Sequence, residues 1–395
     1  MDFRDTPAEA AFRKEVRDWL EANRPAGIEA GIGVTEERTE MLRDWQQRLH
    51  RGGWAGLGWP KEYGGRGASL IQQVIFSQEM ARAKAPSVLN VIGIGMAGPT
   101  IIAHGTEAQK QRYLDKILSG EEIWCQGFSE PGAGSDLGAL RTSAVLEGDS
   151  FIVNGQKVWT TLAHIADWCI LLARTDPTAP KHKGISYLLV DMHSPGIEVR
   201  PLRQITGEAE FNEMFFTDVR VPRDGVLGEI NDGWRVAMTT LLHERGTLGF
   251  ALATQAEIVL GETVDLARKT RRNGRPAIED PLVRQRLAAL HVEVQAMRLN
   301  NYRALTSVMR TGIPGPEGSL GKLLWSESNK RLGELAVEMQ GPAGLLEPGA
   351  TRYAADGGQW QYRHLRSRAN SIEAGTSEIL RNIIAERVLG LPKHK

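Results

Sequence analysis

The sequence has little cysteine, no excess of either charge and no long apolar run. Its 395 residues include only two cysteines, Cys125 and Cys169, which stand far apart. That spacing fits neither a zinc site nor a disulfide scaffold, so we expect no metal and a reducing compartment. Lysine plus arginine and aspartate plus glutamate both number 48. The chain therefore carries no net field that would attract nucleic acid or an anionic membrane.

The sequence also shows no pattern typical of a targeting segment or a membrane-spanning segment. No apolar run reaches the length that a bilayer requires. The opening stretch, "MDFRDTPAEAAFRKEVRDWL", mixes acids and bases and lacks an apolar signal core. We expect a cytoplasmic protein with no membrane or nucleic-acid partner. Hydrophobic residues make up 41% and charged residues 24%, which is typical of a globular chain, and its length predicts more than one core.

What the sequence contains is a change of periodicity along the chain. Helical spacing dominates up to about residue 122, and one of these helices has Thr106 as its predicted N-cap and Gly120 as its stop. Short β-rich runs follow over roughly 143–222, where Asn154-Gly155 indicates a hairpin turn. Long helical patterns then return and suggest an antiparallel bundle of four helices.

These patterns predict an α+β multidomain fold with a helical domain, a β-barrel-like domain and a C-terminal four-helix bundle. The predicted domains cover residues 1–122, 123–230 and 231–395, respectively.

Three short stretches could hold a flat ligand that carries phosphate. In "FSEPGAGSD", Gly132 and Gly134 let backbone N–H groups approach a ligand, although a surface turn is the plainer interpretation. In "NGQKVWTT", Trp159 at a strand end suits a conjugated ring, although a tryptophan in a β-domain is more often core. In "EAGTSEI", residues 375–377 open a helix whose first N–H groups can bind pyrophosphate or form an ordinary N-cap.

In this order and at these separations, the three stretches resemble those of the acyl-CoA dehydrogenase family. "ITGEAEFNEMFFTDVRVP" and the helix–β–helix layout add to the resemblance, which covers essentially the whole chain. The resemblance implies FAD bound between the β-domain and the C-terminal bundle. It also implies an acyl-CoA substrate from lipid β-oxidation, an electron-transfer flavoprotein as electron acceptor, and a homotetramer. The FAD contacts that it implies within one chain are Phe128, Ser129, Gly134, Ser135, Trp159, Thr161, Thr376 and Glu378.

A further FAD contact is implied across the subunit interface, where an arginine of the neighbouring chain reaches the pyrophosphate. The run "RKTRRNGRP" supplies the candidates, and of these Arg271 is our choice. Without the resemblance, this run is a solvated basic cap on a helix. The chain also carries Glu338 where family members commonly have glutamine, a departure at the adenine end of the FAD site.

The resemblance implies a carboxylate that removes the α-proton of the thioester while hydride leaves the β-carbon. Many members place this glutamate directly before Gly-Thr, but here Ala374 holds that position and Glu373 precedes it. Another branch of the family carries the base on the long C-terminal helix. The stretch "LLHERG" matches that branch, with Glu244 as the catalytic base and Arg245 as a supporting residue.

Helical spacing supports Glu244 as the base, because its face of the helix is apolar. A carboxylate on an apolar stripe is costly unless it has a task or a partner, so the alternative is an ion pair across the bundle. For Glu373 we expect capping, ion pairing or a part in shaping the pocket. The neighbours of Glu244 on its face are Ala237, Leu241, Leu248 and Ala251.

Two other functions stay open at this point. One is a flavin monooxygenase on the same scaffold, which would not need Glu244. The other is a non-catalytic partner subunit in a mixed assembly, against which the intact loops and Glu244 argue.

Overall fold

The computed structural model describes residues 4–25, 35–244, 248–311, 315–316, 318–347 and 353–393. The chain divides into two compact units, each of which is described separately below. The first unit comprises residues 1–73 and 84–244, and the second comprises residues 74–83 and 245–395.

The N-terminal part is helical, as the sequence predicts. Helix α5 begins after Thr106, whose hydroxyl accepts from the Gln109 N–H while the Gln109 side chain accepts from the Thr106 N–H. It ends at Gly120 in the left-handed conformation (φ 73°), so both predicted caps are confirmed. The five helices are α1 (Pro7–Asn23), α2 (Glu36–Arg51), α3 (Leu70–Arg82), α4 (Gly98–His104) and α5 (Glu107–Ser119).

A single seven-stranded sheet follows in the first unit, with strand order β1-β4-β2-β3-β7-β6 and β5 paired with β4. Strands β1 and β4 are parallel and place Cys125 beside Cys169. Both cysteines are buried and free. The strands are β1 (Trp124–Gly127), β2 (Ser143–Glu147), β3 (Ser150–Thr161), β4 (Trp168–Arg174), β5 (Ile185–Asp191), β6 (Ile197–Leu202) and β7 (Phe211–Pro222).

The hairpin predicted at Asn154-Gly155 is wrong, because both residues lie inside strand β3. The turn between β2 and β3 lies earlier, at Gly148 and Asp149. Gly155 marks a shift of register between β3 and β7 instead. A Cβ at Gly155 would lie 2.5 Å from the Thr142 hydroxyl, so glycine is needed there for close approach and not for a turn.

Helix α6 (Gly233–Glu244) completes the first unit and packs against β5 and against a π-helical turn at Gly93–Ala97. The second unit is a helical bundle around the buried side chains of Leu266, Val294 and Leu335. Its elements are α7 (Leu248–Lys269), β8 (Arg271–Arg272), β9 (Arg275–Pro276), α8 (Pro281–Thr311), α9 (Gly318–Met339), α10 (Gln359–Asn370) and α11 (Ser377–Ile383), followed by a π-helical turn at Ile384–Val388.

The predicted fold class is confirmed, with helices, then a curled sheet, then a helical bundle. Helix α10 is an element that the sequence patterns did not predict, because arginines and glutamines outnumber apolar residues in it. The first of the long helical patterns that follow the β-rich runs covers α6 and α7, and residues 245–247 between them lie outside the described part of the chain.

Candidate active site

The loop of residues 128–142, between β1 and β2, is open on the side of its glycines. Glu130 and Ala133 exchange backbone hydrogen bonds of 3.1 and 3.0 Å, which closes a tight turn. A Cβ added at Gly132 or Gly134 would meet no atom within 4 Å. Backbone N–H groups in this turn can therefore be reached by a ligand, and a larger residue would fill that space.

The residues predicted to contact the cofactor in this loop differ in exposure. Ser135 and Gly134 are exposed and Ser129 is half-buried. Phe128 is buried, and its ring packs edge-on against Tyr187 with 5.8 Å between ring centroids. Phe128 therefore contributes its ring to the core and leaves its backbone for other contacts.

Strand β3 turns one aromatic ring outward at its end. Trp159 is 60% exposed, so the interpretation of this residue as core is wrong. Its φ of 61° is left-handed, and the β3–β7 register shifts between Lys157 and Thr160. The bulge thus presents the Trp159 ring beside the half-buried Thr161.

A polar cluster that sequence reasoning missed lies beneath this strand end. Asn212 is fully buried and donates from Nδ2 to the Thr160 carbonyl (3.1 Å) and to His164 Nδ1 (3.2 Å). Burial lowers the pKa of His164. Within the described residues, Thr160 Oγ1 and Asn212 Oδ1 are buried without a hydrogen-bond partner. Such atoms are rare, and they indicate a water or a ligand group at this end of the strand.

In the second unit, the loop of residues 371–376 leads into helix α11. Thr376 is its N-cap and accepts from the Ile379 N–H at 3.2 Å. Ala374 and Gly375 both have positive φ, at 51° and 90°. Lys322 Nζ donates to the carbonyls of Asn370 (2.6 Å) and Gly375 (2.9 Å). The loop is therefore held by a cation from α9.

Glu373 is engaged in this loop. One carboxylate oxygen accepts from Asn370 Nδ2 at 2.6 Å, and the other accepts from Arg366 Nη2 at 3.0 Å. The expected ion-pairing role of Glu373 is thus confirmed. Both oxygens of this carboxylate are therefore occupied by side chains of α10.

The remaining predicted cofactor contacts in the second unit are at the surface. Glu378 is exposed, in the first turn of α11, and lies 3.7 Å from Arg381. Arg271 is exposed, and its Nη1 donates to the Gly274 carbonyl within the β8–β9 hairpin. Their roles stay predictions.

Glu338, which was predicted to stand at the adenine end of the cofactor site, has two arginine neighbours. Glu338 accepts from Arg286 at 2.5 Å and lies 3.9 Å from Arg272. The glutamate that replaces the family's usual glutamine thus has arginine partners within its own chain.

The proposed base, Glu244, is the last described residue of α6, and Arg245 lies outside the described residues. One turn before Glu244, the buried Thr240 exchanges hydrogen bonds with Thr100 (2.9 Å) and with the hydroxyl of Tyr187 (3.1 Å). This turn of α6 is therefore fixed against α4 and β5. Of the predicted apolar face, Ala237 is fully buried and Leu241 is half-buried.

The residues present fit a flat cofactor with hydrogen-bonding edges, as a flavin has. The open glycine turn, the outward Trp159 ring and the unpaired polar atoms beneath it lie on neighbouring segments of one unit. Among the described residues there is no cluster of histidine, cysteine or acidic side chains suited to a metal ion. In the same ranges, we find no helix whose length and apolar character would let it traverse a membrane.

Comparison with known proteins gives three family matches along the chain. They are the acyl-CoA dehydrogenase N-terminal domain over residues 6–121, the middle domain over 125–219 and the C-terminal domain over 231–389. The acyl-CoA dehydrogenase IpdE1 of Mycobacterium tuberculosis is 46% identical, and the alignment covers 97% of each chain.

Two solved structures resemble the chain over its full length. A Tcur3481-Tcur3483 steroid ACAD is 34% identical, covers 100% of both chains and has a TM-score of 0.86. The ChsE4-ChsE5 complex from Mycobacterium tuberculosis is 33% identical over 100% of both chains, with a TM-score of 0.84.

Proposed function

The chain belongs to the acyl-CoA dehydrogenase family, and from that premise we propose that it dehydrogenates an acyl-CoA thioester to the trans-2-enoyl-CoA with Glu244 as the base. The family membership makes it an oxidoreductase. FAD as its cofactor, an electron-transfer flavoprotein as its acceptor and the identity of the acyl group belong to the proposal.

The observation that carries the choice of base is the state of the C-terminal loop. Ala374 stands directly before Gly375, and the nearby Glu373 is bound by Arg366 and Asn370. This loop therefore offers no free carboxylate from either position. Glu244 continues a helix whose preceding turn is buried and fixed by Thr240.

Each residue has a defined task in this proposal. Glu244 accepts the proton from the α-carbon of the thioester, and a low-polarity site raises the basicity that this step requires. Bound FAD supplies the acceptor for the hydride equivalent from the β-carbon. The glycine turn and Trp159 would hold the flavin, Thr376 and Glu378 would contribute to binding its phosphates and adenosine, and Arg271 would contact the cofactor of a neighbouring chain.

For the acyl group, we propose a bulky, steroid-derived ring system. The solved relative titled a steroid ACAD supports this choice. The segment packed against α6 also contains small residues: within the π-helical turn, Gly95 is exposed and a Cβ there would meet no atom within 4 Å. The surface of this turn is therefore open at Gly95, and an open surface suits a wide acyl group better than packed side chains would.

The assembly is a separate question. A homotetramer stays our prediction, and the two-component names of both solved relatives make a mixed assembly with a related chain the second possibility. Purification of the chain alone and with a co-expressed relative, followed by mass measurement and a check for bound flavin, decides between them.

The test of the reaction is anaerobic mixing with a series of acyl-CoA thioesters while the flavin absorbance is recorded. Wild type is expected to bleach with a steroid-side-chain or ring-derived thioester faster than with a straight-chain one. E244Q should bleach slower by roughly 100-fold to 10,000-fold, the usual contribution of a general base. E373Q is the matched control and should stay within a few-fold of wild type.

The possible results separate the alternatives. Loss of bleaching in E373Q but not in E244Q would show that the base is the loop carboxylate. No bleaching by any acyl-CoA in the absence of oxygen, together with product that forms only when both an added reductant and oxygen are supplied and that forms equally in E244Q, would favour the monooxygenase. Reoxidation of the bleached enzyme by an electron-transfer flavoprotein, but slowly by oxygen, is expected for a dehydrogenase.

A further inference from the structure

Lys157 is a lysine with no exposed surface, and neither the base nor the substrate requires it. Its Nζ donates to the Phe128 carbonyl at 3.0 Å and to Glu130 Oε1 at 2.8 Å. Burial lowers the pKa of Lys157, and Glu130 opposes that shift. Lysines are almost never fully buried unless they are paired, so this ammonium marks a position where a fixed contact is needed.

Its partner, Glu130, closes the base of the glycine loop. Glu130 Oε2 accepts from the Arg141 N–H at 2.7 Å, and Oε1 accepts from the Thr142 N–H at 2.9 Å. Burial acts to raise the pKa of Glu130, but Lys157 and the hydrogen bonds from Thr142 outweigh it, so the pKa lies below its ordinary value. The carboxylate is ionised and joins the start of the loop to its end.

The same lysine stands at the last regular rung of β3 before the bulge. The register with β7 shifts directly after Lys157, and Trp159 follows with its ring outward. Between them, the Val158 N–H donates to the Ser129 carbonyl at 2.9 Å. One ion pair therefore connects the glycine turn and the segment that carries Trp159, the two segments that fit the flavin.

We propose that Lys157 and Glu130 act as a positioning pair that sets the glycine turn and the Trp159 bulge at their cofactor-binding separation. The pair is overall neutral, and its donors and acceptors all belong to the two segments that it joins. This inference rests on the proposed function, because the ligand that it positions is FAD. It assigns no contact with FAD to either side chain.

The experiment compares FAD affinity of the full-length protein, in its native assembly, for wild type, K157M, E130Q and K157M/E130Q. FAD is removed, and rebinding is followed by the quenching of flavin fluorescence. Each single variant leaves a buried charge without its partner and should weaken FAD binding by about 10-fold or more. The double variant removes both charges and should bind FAD more tightly than K157M does.

The matched control is K181M, which breaks an ion pair on the same loop at its exposed side. Lys181 and Asp136 lie 2.7 Å apart, with side chains 51% and 60% exposed. K181M should bind FAD as wild type does, because exposed pairs contribute little.

A second measurement separates positioning from plain stabilisation. Visible circular dichroism reports the asymmetry around the bound flavin, and it should change in K157M and E130Q at saturating FAD but not in K181M. If K157M lowers only the melting temperature while FAD affinity and the visible spectrum stay as in wild type, the positioning role is wrong. If K157M does not fold, the other two variants test the positioning role. That role is then also wrong if E130Q and the double variant both keep the FAD affinity and the visible spectrum of wild type. A wild-type assembly that binds no FAD would instead overturn the proposed function, and this inference with it.

Discussion

Two loops of this chain each hold a glutamate where a catalytic carboxylate could be sought, and they hold it differently. In the loop of residues 128–142, Glu130 is 8% exposed and bonds the N–H groups of its own loop and the buried Lys157. In the loop of residues 371–376, the side chain of Glu373 is 30% exposed and bonds Arg366 and Asn370 of α10. The role of a glutamate beside a glycine turn thus depends on the hydrogen-bond donors around it. Glu130 and Glu373 both hold their loops in place.

The two loops are also fixed by opposite charges. An anion, Glu130, gathers backbone N–H groups in the first loop, whereas a cation, Lys322, gathers backbone carbonyls in the second. Since both loop carboxylates are occupied, the base is sought outside the loops. Glu244 on helix α6 meets that requirement in our proposal.

The largest expected effect is on the buried pair of the first loop. K157M should lower the free energy of unfolding by about 3–5 kcal/mol, because it leaves Glu130 buried without its counter-charge. R366M removes the more accessible pair of the second loop and should cost about 0–1 kcal/mol. Urea unfolding of both variants measures this difference. Equal losses would show that burial does not distinguish the two loops.

Removal of the cation from the second loop should give the next largest effect. Lys322 donates to two backbone carbonyls, so K322M should cost about 1.5–3 kcal/mol, the range for hydrogen bonds that involve a charged group. Amide hydrogen exchange should accelerate in residues 371–376. K330M is the control on the same helix, since Lys330 lies 3.5 Å from Glu327 in a pair without backbone acceptors among its described contacts. Exchange that is equally fast in both variants would argue against a role for Lys322 in fixing the loop.

A smaller effect is expected where the second loop becomes helix. T376A removes the N-cap of α11 and should cost about 1 kcal/mol in unfolding free energy. T106A removes the cap of α5 in the first unit and should cost a similar amount. Thermal unfolding of T376A and T106A measures the two losses of stability. A cost in T106A alone would mean that the loop holds α11 in place without its cap.

Much of this arrangement could be predicted from the sequence, because local signals and tertiary packing agree. The helix caps at Thr106 and Gly120 depend on neighbours only a few residues away. The types of these two residues were therefore sufficient to predict the caps. The helix–β–helix order follows from periodicity alone. Ion pairing was one of the roles expected for Glu373 once Glu244 was chosen as the base, and the structure supplies its partners.

Other features depend on contacts between distant residues and could not be predicted locally. Asn154-Gly155 has the composition of a turn, but both residues lie inside strand β3, where the Thr142 side chain leaves no room for a Cβ at Gly155. Lysine is a residue type that usually lies at the surface, and the burial of Lys157 is explained only by its ion pair with Glu130. One signal was available: Lys157 lies four residues after Val153 and six after Phe151, so simple alternation along the strand places all three side chains on the same face.

The smallest effect is expected from pH, and it sharpens the account of the first loop. The folded-state pKa of Glu130 lies below its ordinary value of 4.5, because Lys157 and the hydrogen bonds from Thr142 outweigh the effect of burial. The unfolded chain therefore binds the proton more tightly. The stability that the carboxylate contributes is fully present above pH 4.5 and is lost as the pH falls through the folded-state pKa. E130Q lacks this contribution at every pH.

The difference in unfolding free energy between wild type and E130Q should consequently be constant from about pH 7 to about pH 5 and shrink below that. Urea unfolding across this range measures it, with D136N as the control, because the exposed Lys181–Asp136 pair on the same loop contributes little at any pH. A difference that persists unchanged at the lowest pH at which wild type is folded would contradict an ionised Glu130. The first loop would then be closed by a neutral hydrogen-bonding side chain, and the contrast between an anion-closed loop and a cation-closed loop would no longer hold.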